Sequence, residues 1–97
     1  MTNVRFEWDE AKNRSNRRKH GVAFEEAASV FLDPLARTYP DPDHSTTEPQ
    51  EITIGYSRSG RVLFVAHVER RGRLRIISAR RASARERKQY EQSKAKR

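Results

Sequence analysis

Three apolar-rich segments follow one another in the second half of the chain: "EITIGYS" at 51–57, "RVLFVAHVE" at 61–69 and "RLRIISA" at 73–79. They are joined by "RSG" at 58–60 and "RRG" at 70–72. Runs rich in β-branched and aromatic residues, separated by three residues ending on glycine, read as strands joined by three-residue hairpin loops with glycine in the left-handed position. This pattern constrains the fold more than any other, because it commits three successive strands to one antiparallel sheet. The loops also set a register. Ile52, Ile54 and Tyr56 face Ala66, Phe64 and Val62, while Val68, Ala66 and Phe64 face Leu74, Ile76 and Ser78. These residues make one apolar face, and a one-residue slip would scatter them. The opposite face then gathers Glu51, His67 and Arg75 in one row and Glu69 beside Arg73 in the next. Arg61 and Arg81 lie toward the far end, with Thr53, Val65 and Ile77 between.

The flanking elements follow from local signals. "VRFEW" reads as a short first strand. Asp9 caps a helix through "EAKNRSNRRKH" that stops at Gly21. Its only apolar residue is Ala11, so it is expected to be largely exposed. In "AFEEAASVFL", Phe24, Ala27, Ala28 and Phe31 fall at i, i+3, i+4 and i+7, the stripe of an amphipathic helix that should cover the apolar sheet face. Residues 33–51 hold all four prolines and five acids against one arginine, an acidic loop with room for a short strand near "ARTY". Ser83 and Glu86 form a capping box for a last helix that passes Tyr90 and frays in the terminal lysines, a basic tail over 91–97. The 97 residues make one domain, of α+β class, with helices packed on an antiparallel sheet.

Charge placement speaks to partners. Residues 70–97 carry twelve Lys/Arg and two Glu, a net +10, whereas residues 1–69 are net −2. Such asymmetry marks a polyanion-binding segment. Cysteine is absent, which excludes disulfides and thiolate chemistry, and no apolar run reaches membrane-spanning length. The N-terminus has no signal-peptide stretch, so the expected compartment is the cytoplasm.

RNA can be cut by its own 2′-hydroxyl when a base takes the 2′ proton, a cation stabilises the phosphorane and an acid protonates the 5′ oxygen. Arginine with Glu or His suits these tasks, and the predicted polar face supplies them. Cross-strand Glu–Arg pairs are also ordinary surface contacts, which for Glu69–Arg73 alone is the stronger reading. His20 closes "RRKHG", where a basic helix C-terminus and phosphate contact are rival explanations. "DPDH" (Asp41, Asp43, His44) has no second ligand cluster and reads as a turn. Tyr90 either stacks on a base or packs its helix onto the sheet.

"FEWDEAKNRSNRRKHGVAFEEAASVFLD" followed by "ITIGYSRSGRVLFVAHVERRGRLRIISARRASARERKQYE" resembles the BrnT family of bacterial type II toxins, over about residues 5–91. The resemblance rests on "FEWD", an Asn before "KHG", "FEEA", "RIISAR" and a following Glu and Tyr. It implies a RelE-like fold of order β-α-α-β-β-β with a C-terminal helix. It further implies metal-independent ribonuclease activity that blocks translation and growth, and neutralisation by a BrnA antitoxin with a ribbon-helix-helix DNA-binding end. Operator DNA is then reached only through the antitoxin, and no cofactor or membrane is involved. The family-like positions are Asp9, Lys12, Asn16, Lys19, His20, Gly21, Glu69, Arg75, Ser78, Arg80, Glu86 and Tyr90; His67 lies outside that pattern. Together, residues and resemblance nominate Arg75, Arg80, Glu69, His20 and His67 as catalytic candidates. Lys19, Arg61, Arg73, Arg81, Arg85 and Tyr90 are nominated to bind RNA, messenger RNA on or off the ribosome. The rival reading is a non-catalytic nucleic-acid-binding protein or co-repressor working with a DNA-binding antitoxin.

Overall fold

The computed structural model describes residues 4–41, 43 and 48–95. A short strand β1 (Arg5–Glu7) leads into helix α1 (Glu10–His20) and helix α2 (Phe24–Ser29), which tightens into a 3-10 turn over Val30–Leu32. Strand β2 (Arg37–Pro40) lies within the acidic segment. Strands β3 (Glu51–Tyr56), β4 (Val62–Arg70) and β5 (Arg73–Arg81) precede helix α3 (Ala84–Ala95). The five strands form one sheet in the order β1-β5-β4-β3-β2. The class is α+β as expected, but the sheet is mixed, because β1 runs parallel to β5 while the other neighbours are antiparallel.

The end signals act as their chemistry dictates. The Asp9 carboxylate accepts the Lys12 N–H at 3.1 Å, and Gly21, at φ 68°, donates its N–H to the Arg17 carbonyl at 2.9 Å. Ser83 and Glu86 close the capping box reciprocally, at 3.1 and 2.8 Å.

The β3–β4 register is as read from the sequence, with Ile52, Ile54 and Tyr56 opposite Ala66, Phe64 and Val62. The β4–β5 register is not. Arg70 pairs with Arg73 across a two-residue loop, Arg71 and Gly72, both with positive φ (52° and 77°). Such a loop matches the right-handed twist of the strands, so it displaces the three-residue alternative. Glu69 therefore faces Leu74, not Arg73, and Val68 faces Arg75. A bulge then shifts the ladder: His67 pairs with Ile76 and Ala66 with Ser78, leaving Ile77 as the extra residue.

The two-residue turn and the bulge together divide what the sequence reading placed on one face: the turn moves Leu74 and Ile76 to the other side, and the bulge returns Ser78 beside Ala66. Leu74, Ile76 and Ala79 join Leu63 and Val65 on the side covered by α1 and α2, where Val22, Phe24, Ala27 and Val30 complete a buried core. Ile52, Ile54, Val62 and Ala66, with Phe64 and Ile77 at their edge, lie on the other side, closed by Tyr90 of α3. Helix 24–31 thus packs on the face expected to be open, and α3 covers the face expected to lie beneath that helix.

Helix α1 is docked by amides rather than hydrocarbon. Its two buried side chains are Asn13 and Asn16. Asn16 donates to the carbonyls of Val22 (2.9 Å) and Ala79 (2.7 Å) and accepts the Ala79 N–H at 3.2 Å. Strand β1 ends at Glu7, opposite Arg75, so the outer edge of β5 has no strand partner at Ala79, and the Asn16 amide substitutes for one. Asn13 accepts the Phe24 N–H at 2.8 Å, capping α2, whose own N-cap Ala23 has no side-chain acceptor.

Candidate nucleic-acid interface

The candidate residues fall into three regions. The first is the β4–β5 hairpin end of the sheet. Arg75 donates to Glu7 at 3.0 Å, Arg73 lies 3.7 Å from the same carboxylate, and Arg70 holds Glu48 in a two-point pair at 2.7 and 2.6 Å. These arginines already have carboxylate partners. Glu69 is exposed and shares a shallow hollow with Glu51, Arg73 and the edge of His67.

His67 was expected on an open face; it is only 3% exposed. It lies on the side of the sheet expected, opposite Glu51, but the N-terminal helices cover that side: it sits beneath Phe31 of the 3-10 turn, ring centroids 5.0 Å apart, with its Nε2 in hydrogen-bond contact with Thr53 Oγ1 at 2.7 Å. Burial lowers its pKa from 6.5 to about 4. The consequence for stability has a definite sign. The unfolded chain takes up a proton near pH 6.5 that the folded chain refuses until about pH 4, so stability should fall as pH drops through that window and level off below it. Thermal melts of the parent and His67→Gln across this range should show that component in the parent alone; parallel curves would place the imidazole in water.

The second region is the root of α3. Arg80 lies over the Phe64 ring, 3.9 Å from its centroid, and grips Glu86 at 2.8 and 3.0 Å. This pairing, together with the Ser83 N–H, holds the Glu86 carboxyl below its usual range. Arg80 thus staples the helix to the sheet. Tyr90 is 3% exposed, donates its hydroxyl to Asp33 and meets the Tyr56 ring edge-on at 5.6 Å. Burial and the Asp33 carboxylate push its pKa upward. Its ring packs α3 onto the sheet, and Arg85 stands exposed on the same helix.

The third region lies at the β3–β4 hairpin end, where Arg61, Arg81 and Arg87 line one hollow with Tyr56 and Glu91. Arg61 is positioned by Glu26, through Nε at 2.9 Å and through Nη2, and by the Gly21 carbonyl at 3.1 Å. It therefore ties the hollow to the C-terminus of α1, where Lys19 and His20 are exposed. The Tyr56 hydroxyl donates to Glu91 at 3.2 Å, which raises the tyrosine pKa. Arg81 and Arg87 are exposed and have no ion pair among the described residues. On α1, Arg14, Arg17 and Arg18 line a further open basic patch. Two unneutralised guanidiniums beside a positioned third are what a phosphate requires. The sequence reading named Arg61 and Arg81 but missed Tyr56, Arg87 and Glu91. The Arg87–Glu91 spacing of i, i+4 shows that they share a helix face; nothing in the sequence shows that α3 brings this face to Tyr56.

The acidic segment has its own use: Asp41 accepts the Asp43 N–H and the Gln50 amide, each at 3.1 Å, which makes a turn. His44 lies outside the described residues. Among the described residues no helix is long and apolar enough to cross a membrane.

Comparison with known proteins agrees with the fold. The family model described as "Ribonuclease toxin, BrnT, of type II toxin-antitoxin system" matches residues 8–86. The chain belongs to the BrnT family. The crystal structure of the Brucella abortus ribonuclease toxin BrnT superposes with a TM-score of 0.67 at 26% identity, covering 84% of this chain and 99% of that one. A comparison with curated proteins gave no match. The BrnT match spans β1's exit, both N-terminal helices, strands β2 to β5 and the root of α3.

Proposed function

We propose that this BrnT-family chain is a metal-independent endoribonuclease whose cutting of messenger RNA arrests translation and growth in the cytoplasm. The observation that carries this reading is the convergence of Arg61, Arg81 and Arg87 on one open hollow that also holds a carboxylate and a phenol. Cations placed where the phosphorane gains charge, next to a proton acceptor, are the elements of 2′-hydroxyl attack. The exposed cations of α1 and α3 extend the positive surface on which the RNA backbone lies.

The experiment is incubation of the purified protein with total RNA. Cleavage is expected to persist in EDTA and to leave 2′,3′-cyclic phosphate ends. Activity that vanishes on chelation and returns with magnesium would overturn the mechanism. The family's type II setting supports a protein antitoxin, and we read it as BrnA-like, with a ribbon-helix-helix end reaching operator DNA. An acidic segment of it would cover the arginine hollow and associate fastest at low salt.

A further inference from the structure

The carboxylates of the described residues divide sharply by what they touch. Glu7, Glu26, Glu48 and Glu86 each lie against an arginine. Glu10 and Glu25 accept from Trp8 and Asn13. Asp9 caps α1 and Asp33 accepts from Tyr90 and the Tyr56 N–H. Glu91 is different: it is exposed, it is approached by a phenol, and it shares its hollow with two arginines that have no ion pair among the described residues. Glu51 and Glu69 share their hollow with Arg73, which lies near Glu7, and with buried His67.

Resting on the ribonuclease reading, we infer that Glu91 is the general base of the cleavage, held in place by Tyr56, and that Arg81 and Arg87 with Arg61 form the cradle of the scissile phosphate. The position is fixed from two sides. Tyr90, one residue before Glu91, is buried and bonded to Asp33, so this turn of α3 cannot slide. The Tyr56 hydroxyl then holds the Glu91 carboxylate toward the sheet end. Arg87 lies one turn earlier on the same helix and reaches the hollow with it, while Arg81 arrives from the end of β5 and Arg61 from the β3–β4 turn. A phosphodiester seated among these guanidiniums places its neighbouring 2′-hydroxyl beside the carboxylate.

Glu91 takes the 2′ proton as the 2′ oxygen bonds to phosphorus. The bond from phosphorus to the 5′ oxygen breaks, and that oxygen takes a proton from water at the open mouth of the hollow. The resulting hydroxide removes the proton from Glu91. The products are a 2′,3′-cyclic phosphate and a free 5′-hydroxyl. Tyr56 is a positioning residue: it stays protonated and donates to the carboxylate throughout.

The test uses the full chain and a short RNA, with its 2′-deoxy counterpart as a binding probe. Glu91→Gln is expected to lower kcat by about 100-fold or more, the lower end of the range for general-base catalysis. Its affinity for the 2′-deoxy probe and its melting temperature should match the parent. Tyr56→Phe should lower kcat while KM and affinity for the 2′-deoxy probe stay at the parent's values, because the carboxylate loses the donor that orients it; a merely structural tyrosine would lower the melting temperature and leave kcat unchanged. A parent that cleaves in EDTA with a Glu91→Gln variant equally fast would overturn Glu91 as base while the ribonuclease reading stands. A parent that leaves RNA uncut would overturn that reading and the base with it.

Discussion

Asn16→Ala is expected to cost about 3 kcal/mol or more, since each buried polar group left without a partner costs about 1–3 kcal/mol. The substitution strands three such groups: the Val22 carbonyl and both backbone groups of Ala79. In a domain of this size each kcal/mol moves the melting temperature by about 4–8 °C, so a fall of more than about 12 °C should be seen. Against a total stability of about 5–15 kcal/mol, much of the population would be at risk of unfolding at growth temperature. Asn16→Leu tests the cause. It restores volume but no hydrogen bond, and should melt nearly as low as the alanine variant. A leucine variant as stable as the parent would mean that α1 is held by shape rather than by its amides.

The paired replacement Arg81→Ala, Arg87→Ala should abolish toxicity while leaving the protein folded. Removing a transition-state donor typically slows catalysis by about 10²–10³-fold. Both side chains are exposed and outside any ion pair among the described residues, so the melting temperature should stay within a few degrees. Arg80→Ala should behave in the opposite way. It removes the contact with the Phe64 ring and the two-point grip on Glu86, and the melt should fall by several degrees through loss of about 1 kcal/mol or more. Growth after induced expression reads toxicity, and thermal melts read stability. Toxicity lost from Arg75→Ala at an unchanged melting temperature would move the reacting centre to the Glu69 end of the sheet, and the same result from Arg80→Ala would move it to the root of α3.

These contrasts bear on the nominated residues. Arginines dense within a strand suggest display, and that is what singles out Arg75, Arg80 and Arg73 in the sequence. Strand β5 does display them, yet Glu7, distant in sequence, lies against Arg75 and Arg73. Arg81 and Arg87 share a hollow with Glu91 yet form no ion pair among the described residues. A linear reading can count charges, but it cannot tell which are neutralised, because the neutralising partner is chosen by a parallel β1–β5 pairing that no local signal encodes.

What the sequence determined alone is local and periodic: the strands, the caps at Asp9, Gly21 and Ser83, the β3–β4 register, and a basic second half that suits RNA. Each follows from interactions within a few residues or from a period-two pattern, and the family resemblance rests on the same short motifs. What the tertiary structure decided is which side of the sheet each residue serves. One extra residue, Ile77, inverts the alternation of β5 midway, and a two-residue turn at Arg71-Gly72 shifts its pairing with β4. Both choices are nearly invisible to hydrophobic patterning, because α2 covers one face and α3 the other and both faces are apolar. With a core on each side, no polar face remained to report the register, and so His67 was read as open when it is buried, while Tyr56, Arg87 and Glu91 came together unannounced.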